Sequence, residues 1–126
     1  MPEVNIGVGI PAGLLLHAWG LSLNKCFDSI PYHVGSSLYG KQWRDVDVRV
    51  ILEDDEWEHW FGQRLGAKQC NARWSAICTA FSLWGERVTG LPIDFQVVRR
   101  SDVTQEEWDK ARNPLGVYVD GGGSVV

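Results

Sequence analysis

Cysteine is scarce in this chain: Cys26, Cys70 and Cys78 are the only three, and no two form a CxxC pair. An odd count without a cysteine–histidine cluster excludes a disulfide framework and a zinc ribbon. All three fall in apolar, helix-like stretches, where cysteine is expected to act as a small core residue. Long apolar runs are missing too. The longest, near Leu14–Leu16, soon meets His17, Ser22, Asn24 and Lys25, and no basic segment precedes it. Neither a signal peptide nor a membrane span is expected, and the expected compartment is a reducing cytoplasm. A cationic surplus is absent as well. Twelve Lys and Arg face 16 Asp and Glu, for a net charge of −4 and a pI of about 5.3. A protein that blankets duplex DNA phosphates is usually basic, so that class is set aside. A local basic pocket stays open, because eight of the twelve cations are arginines, suited to forked phosphate contacts.

What is present describes an ordinary globular chain. Its 126 residues are 44% apolar and 22% charged, which fits one domain over 1–126 with its own core. Residues 1–11 read as an N-terminal loop and 120–126 as a flexible, glycine-rich tail. Gly7-Val8-Gly9 does not make a dinucleotide fingerprint, because the next glycine, Gly13, comes one position too late.

Periodicity places the elements. From Ala12 to Ser29, Leu16, Trp19, Leu23, Cys26 and Ile30 recur at helix spacing, with Pro31 as the expected stop. Tyr32–Val34 reads as a short strand. Asp45–Leu52 alternates, with Val46, Val48 and Val50 on one side and Asp45, Asp47 and Arg49 on the other. Asp55 and Glu58 suggest a capping box before a short helix. Ala67–Val88 is the strongest helix, carried by Cys70, Trp74, Ile77, Phe81, Trp84 and Val88 and closed by Gly90 and Pro92. Ile93–Val98 alternates again. Thr104 and Glu107 open a helix to Arg112, which Asn113-Pro114 ends, and Leu115–Val119 is expected as an edge strand.

One segment carries chemistry. A strand runs into Gly35-Ser36-Ser37, and eight residues later comes Asp45-Val46-Asp47 on a second strand. Residues two apart on a strand share a face, with Cα atoms about 6–7 Å apart. Two carboxylates so placed raise each other's pKa unless a cation neutralises them. Magnesium suits that task, since it takes one or two carboxylates together with water and substrate phosphates. Gly35 lets the backbone approach a ligand, and Ser36 and Ser37 offer donors to phosphate oxygens. Lys41 and Arg44, in the same loop, are placed to balance phosphate charge.

Gly-Ser, a spacer, then Asp-x-Asp on a strand resembles the signature of the polymerase-beta-like nucleotidyltransferase superfamily, as a minimal single-domain member. Asp94, in Pro92-Ile93-Asp94-Phe95, matches the third acid of that family, and the resemblance covers about Ala12–Val98. It implies an α/β (α+β) fold, a small mixed sheet packed by two long helices. It also implies a metal-dependent transfer of a nucleoside monophosphate from a triphosphate to an acceptor, with pyrophosphate released. Asp45, Asp47 and Asp94 would be the catalytic, metal-holding acids. Gly35, Ser36, Ser37, Lys41 and Arg44 would bind the triphosphate, and Mg2+ or Mn2+ would be the cofactor. The acceptor is left open among protein, RNA and small molecule, with a second copy or a partner protein to complete its wall. Two other readings stand beside this one: a degenerate nucleotide-binding or regulatory module, and a partner-modifying protein of the toxin–antitoxin type. The plainer alternative for Asp45 and Asp47 is a solvated strand face paired with Arg44 and Arg49. For Tyr39 and Trp43 it is loop anchoring, and for His17, His33 and His59 it is an ordinary structural role.

Overall fold

Two strongly alternating segments build the centre of this α/β protein. The computed structural model describes residues 8–9, 11–38, 40, 44–62 and 71–116. In chain order the elements are α1 (Ala12–Phe27), β1 (Pro31–Val34), β2 (Val46–Leu52), α2 (Asp54–Phe61), α3 (Ala72–Thr89), β3 (Ile93–Arg99), α4 (Gln105–Asp109) and β4 (Asn113–Pro114). Single 3-10 turns lie at Ser36–Leu38 and Arg100–Asp102. The sheet is mixed, in the order β3-β2-β1-β4. β1 pairs antiparallel with β2 and β4, whereas β2 and β3 are parallel, joined through α2 and α3. Val46, Val48, Val50 and Leu52 of β2 and Ile93, Phe95 and Val97 of β3 are buried, and the residues between them are partly exposed. The sheet thus has one core face and one open face.

α1 and α3 supply the core's other half. Trp19, Phe27 and Phe81 gather around Phe95, with ring centroids 6.0, 5.9 and 5.5 Å from it. Close packing of the helices depends on Gly85, because a Cβ there would approach Trp19 to 2.8 Å. Among the described residues, the edge of β3 away from β2 is covered by side chains of α3. Trp74 Nε1 donates to the Val97 carbonyl (2.7 Å) and the Phe95 amide donates to Ser82 Oγ (2.9 Å). The Val97 amide also reaches the Cys78 thiol. Trp74, Cys78 and Ser82 are one helical turn apart, so one ridge of α3 satisfies an edge that would otherwise invite pairing.

Several boundaries differ from those expected. α1 ends at Phe27, before Pro31, because Asp28 takes a left-handed conformation (φ 52). Pro31 instead opens β1, where its missing N–H costs nothing at a strand start. Cys26 is exposed and Phe27 takes the core position, whereas Cys78 is buried as expected. Burial pushes the Cys78 thiol up to about 11. α2 starts after Glu53 with no side-chain cap, so Asp55 lies within its first turn rather than capping it. α3 begins at Ala72, where Asn71 caps Trp74 N–H at 2.9 Å, and ends on Gly90. Cys70 lies outside the described residues. The Thr104–Glu107 capping box is present, but α4 stops at Asp109. Asn113-Pro114 is itself the edge strand, and Leu115, expected in that strand, is a buried core residue pressed against Gly20 of α1. The expected tail and most of the expected N-terminal loop lie outside the described residues.

Candidate active site on the open sheet face

The open face takes its chemistry from the residues that alternate with the core valines. Asp47 and Arg49 stand on β2, and Asp94 and Gln96 on β3. The parallel register sets Asp47 beside Asp94 and Arg49 beside Gln96. Asp45, exposed just before β2, adds a third negative charge near Asp47. Two acids close together on one segment and a third, Asp94, from far along the chain thus gather at one end of two neighbouring strands.

The glycine turn reaches the same place. Val34 pairs with Asp47 across the β1–β2 ladder, so Gly35 follows directly over the acid. Gly35 has a φ of 81, which a residue with a side chain rarely adopts. A Cβ at Gly35 would also collide with the Asp47 carboxylate. The two requirements coincide: the chain turns sharply, and its backbone lies against the central acid. Ser36 is exposed at the start of the following 3-10 turn. Ser37 is fully buried, and its hydroxyl is paired with His33 Nε2. Ser37 therefore anchors the turn from below, whereas Ser36 faces outward. Arg44 is exposed before β2, and Lys41 lies outside the described residues.

Burial sets the electrostatics of the central acid, and its neighbours modify them. Burial raises the Asp47 carboxyl above its ordinary range, the Arg49 guanidinium opposes that, and Asp94 and Asp45 add to the rise. Arg49 answers part of the negative charge. Its Nη1 donates to the carbonyls of Asp94 (2.7 Å) and Val48 (3.1 Å). Its Nη2 lies 3.3 Å from Asp94 Oδ2 and 3.9 Å from Asp47 Oδ1. One arginine, held by main-chain carbonyls, bridges both acids. An open cavity of about 340 Å³ adjoins Asp94, between β3 and the outer side of α3, and Ser75, Thr79, Ser82 and Glu86 also line it.

Among the described residues, no group of three or more His, Cys, Asp or Glu side chains is arranged as a ready metal site. The donor set is instead a facing pair, Asp47 and Asp94, with the Arg49 guanidinium beside both. Paired carboxylates are the donor type that magnesium takes together with water and phosphate. No helix among the described residues is long and apolar enough to cross a membrane.

Sequence reasoning missed a second cluster. The Arg100 guanidinium lies 4.2 Å from the Trp108 ring centre, Arg112 lies 4.2 Å from it and 4.9 Å from that of Tyr32. The only signal for it was the four-residue step from Trp108 to Arg112. Comparisons with family models, curated proteins and solved structures give no match.

Proposed function

We propose that the protein transfers a nucleoside monophosphate from a nucleoside triphosphate to an acceptor hydroxyl, with release of pyrophosphate. The observation that carries this reading is the in-register pair Asp47–Asp94, with the Gly35 turn pressed onto Asp47. Serine-bearing turn and paired acids on one sheet end suit a triphosphate whose phosphates lie over the turn. Asp47 and Asp94, supported by Asp45, would hold Mg2+ or Mn2+, which would supply neutralisation of the phosphate oxygens and of the leaving pyrophosphate. Asp94 faces the open cavity and is the acid placed to accept the proton of the acceptor hydroxyl. The acceptor oxygen then bonds to the α-phosphorus as the bond to the pyrophosphate oxygen breaks, and that electron pair leaves with pyrophosphate. Ser36 and the backbone of the turn donate to phosphate oxygens, with Arg44 and Lys41 contributing charge.

The deciding experiment follows radiolabelled nucleotide into RNA, protein or small molecules of a cell lysate, with Mg2+ or Mn2+. Transfer by the native protein and none by Asp47→Ala supports the reading. Equal transfer by both rejects it.

The Arg49 bridge favours a second reading: a nucleotide-binding module without turnover. A guanidinium already neutralises the two acids and is tethered by two carbonyls, so it stands where a metal would act. Under that reading ATP or CTP raises the melting temperature without magnesium, and no label is transferred. Under the first, stabilisation needs the metal.

A further inference from the structure

We propose that Arg100 and Arg112, clamped on Trp108, form a binding site for the phosphodiester backbone of single-stranded nucleic acid. This assigns a substrate class to the acceptor, and in that respect rests on the transfer reading above.

The argument starts from placement. Tyr32 alternates with the buried Pro31 and His33, so its ring belongs to the open face, and it pairs in register with Arg49 of β2. Arg112 lies over that ring and over Trp108, and Arg100, just beyond the end of β3, lies over Trp108 as well. A ladder of guanidinium–ring contacts therefore runs from the open side of β1 to the end of β3. The acids lie at the other end of the same strands. On β2 only Arg49 separates Asp47 from this ladder, and two strand residues span about 6–7 Å.

Charge supplies the second step. Two guanidiniums held over one indole, each 4.2 Å from its centre, repel each other, and phosphate charge beside them relieves that repulsion. Ring contacts restrain both guanidiniums, and Arg112 Nη1 donates to the Trp108 carbonyl (3.0 Å). Their remaining N–H groups are thus preorganised as forks for phosphate. Two carboxylates of α4 are engaged within their own helix. Glu107 closes the capping box with Thr104, and Asp109 accepts from the Gln105 side chain at 2.9 Å. Arg99 shows the contrast, since Asp54 and Glu58 neutralise it. A strand with successive phosphates matches two fixed forks, and the absence of a general basic surface limits the contact to a short segment.

The test is fluorescence anisotropy with fluorescein-labelled ten-nucleotide oligo(rU) and oligo(dT), at low salt and across a salt series. The expected result is binding of at least one strand, with two phosphate contacts giving a log–log salt slope of about −1.4. Arg100→Gln and Arg112→Gln should each flatten that slope by about 0.7, and together weaken binding roughly tenfold or more. Arg87→Gln, an equal charge change on exposed α3, should leave binding as in the native protein. Circular dichroism checks folding, and Arg100→Gln, at the outer end of the ladder, keeps the test valid if Arg112→Gln does not fold. Preference for oligo(rU) or oligo(dT) identifies the strand as RNA or DNA. No binding of either, or native binding by both ladder variants, overturns the proposal. So does ATP displacing the oligonucleotide from the ladder, which would make it a triphosphate site. Asp47→Ala separates the two readings, because it should keep strand binding while losing transfer. Strand binding with transfer unaffected by Asp47→Ala would remove the enzyme and leave the ladder.

Discussion

Asp47 stands between what the fold tolerates and what the chemistry asks. Its carboxyl is raised above the ordinary range, first by burial, so at neutral pH its charge is a cost to the folded state. Replacing it by the neutral isostere removes that cost. Asp47→Asn should therefore melt at or above the native temperature while losing nucleotide transfer, and calorimetry beside the labelling assay checks both halves. A clear fall in melting temperature would mean that the Arg49–Asp47 contact outweighs burial. Gly35 is the opposite case. Gly35→Ala meets both an unfavourable φ of 81 and the Asp47 carboxylate. The left-handed backbone alone costs about 1–2 kcal/mol, and displacement of Asp47 adds to it. Urea titration should show a loss of about that size or more, with transfer reduced as well. Native stability in Gly35→Ala would show that the turn relaxes and does not fix the acid.

Helices and strands show what the sequence made legible. The alternation of Val46, Val48 and Val50, and of Ile93, Phe95 and Val97, is a local period, and the strands lie within a residue of where it put them. The face shared by Asp47 and Arg49 followed from the same period. The meeting of Asp47 with Asp94 did not, because register between β2 and β3 depends on the crossover through α2 and α3, which no spacing encodes. Only the resemblance suggested that meeting. Asp28 in a left-handed conformation ends α1 where proline was the more visible signal. Asn113-Pro114 looked like a helix stop, yet it pairs with Tyr32 and His33 once Leu115 is buried under α1. The ridge Trp74–Cys78–Ser82 was equally hidden, since its role is to bond the β3 edge. Ser82 Oγ both donates to the Cys78 carbonyl (2.8 Å) and accepts from the Phe95 amide (2.9 Å). Ser82→Ala leaves that amide without its partner and should cost about 1–3 kcal/mol in chemical denaturation. An unchanged midpoint would mean that water replaces the hydroxyl at this edge.

Across the whole molecule, the core face and the open face meet at β1 through His33. The imidazole is fully buried under the Gly35 turn, its Nε2 is paired with Ser37, and its Nδ1 has no hydrogen-bond partner. Burial, with the nearby His17, pushes its pKa down to about 4 from the ordinary 6.5. In the unfolded chain the imidazole binds a proton near pH 6.5, whereas in the folded chain it resists until about pH 4. The unfolded state therefore holds more protons in that window, and stability rises with pH across it. His33 thus withdraws none of the fold's stability above about pH 6.5 and progressively more as pH falls towards 4, up to about 3 kcal/mol in all. His17, lowered by burial, adds a slope of the same sign and the raised Asp47 one of the opposite sign, so the difference between the native protein and a His33 variant, rather than the native slope alone, isolates His33. His33→Gln carries no titrating group and should flatten the stability–pH curve there, whatever its effect on absolute stability. Urea unfolding of both proteins at several pH values measures the two slopes. Because His33 holds Ser37 beneath the turn, the same acidification should loosen Gly35 from Asp47. Equal slopes for the native protein and His33→Gln from pH 6.5 to 4.5 would show that the imidazole is not the neutral strut on which turn and sheet rest.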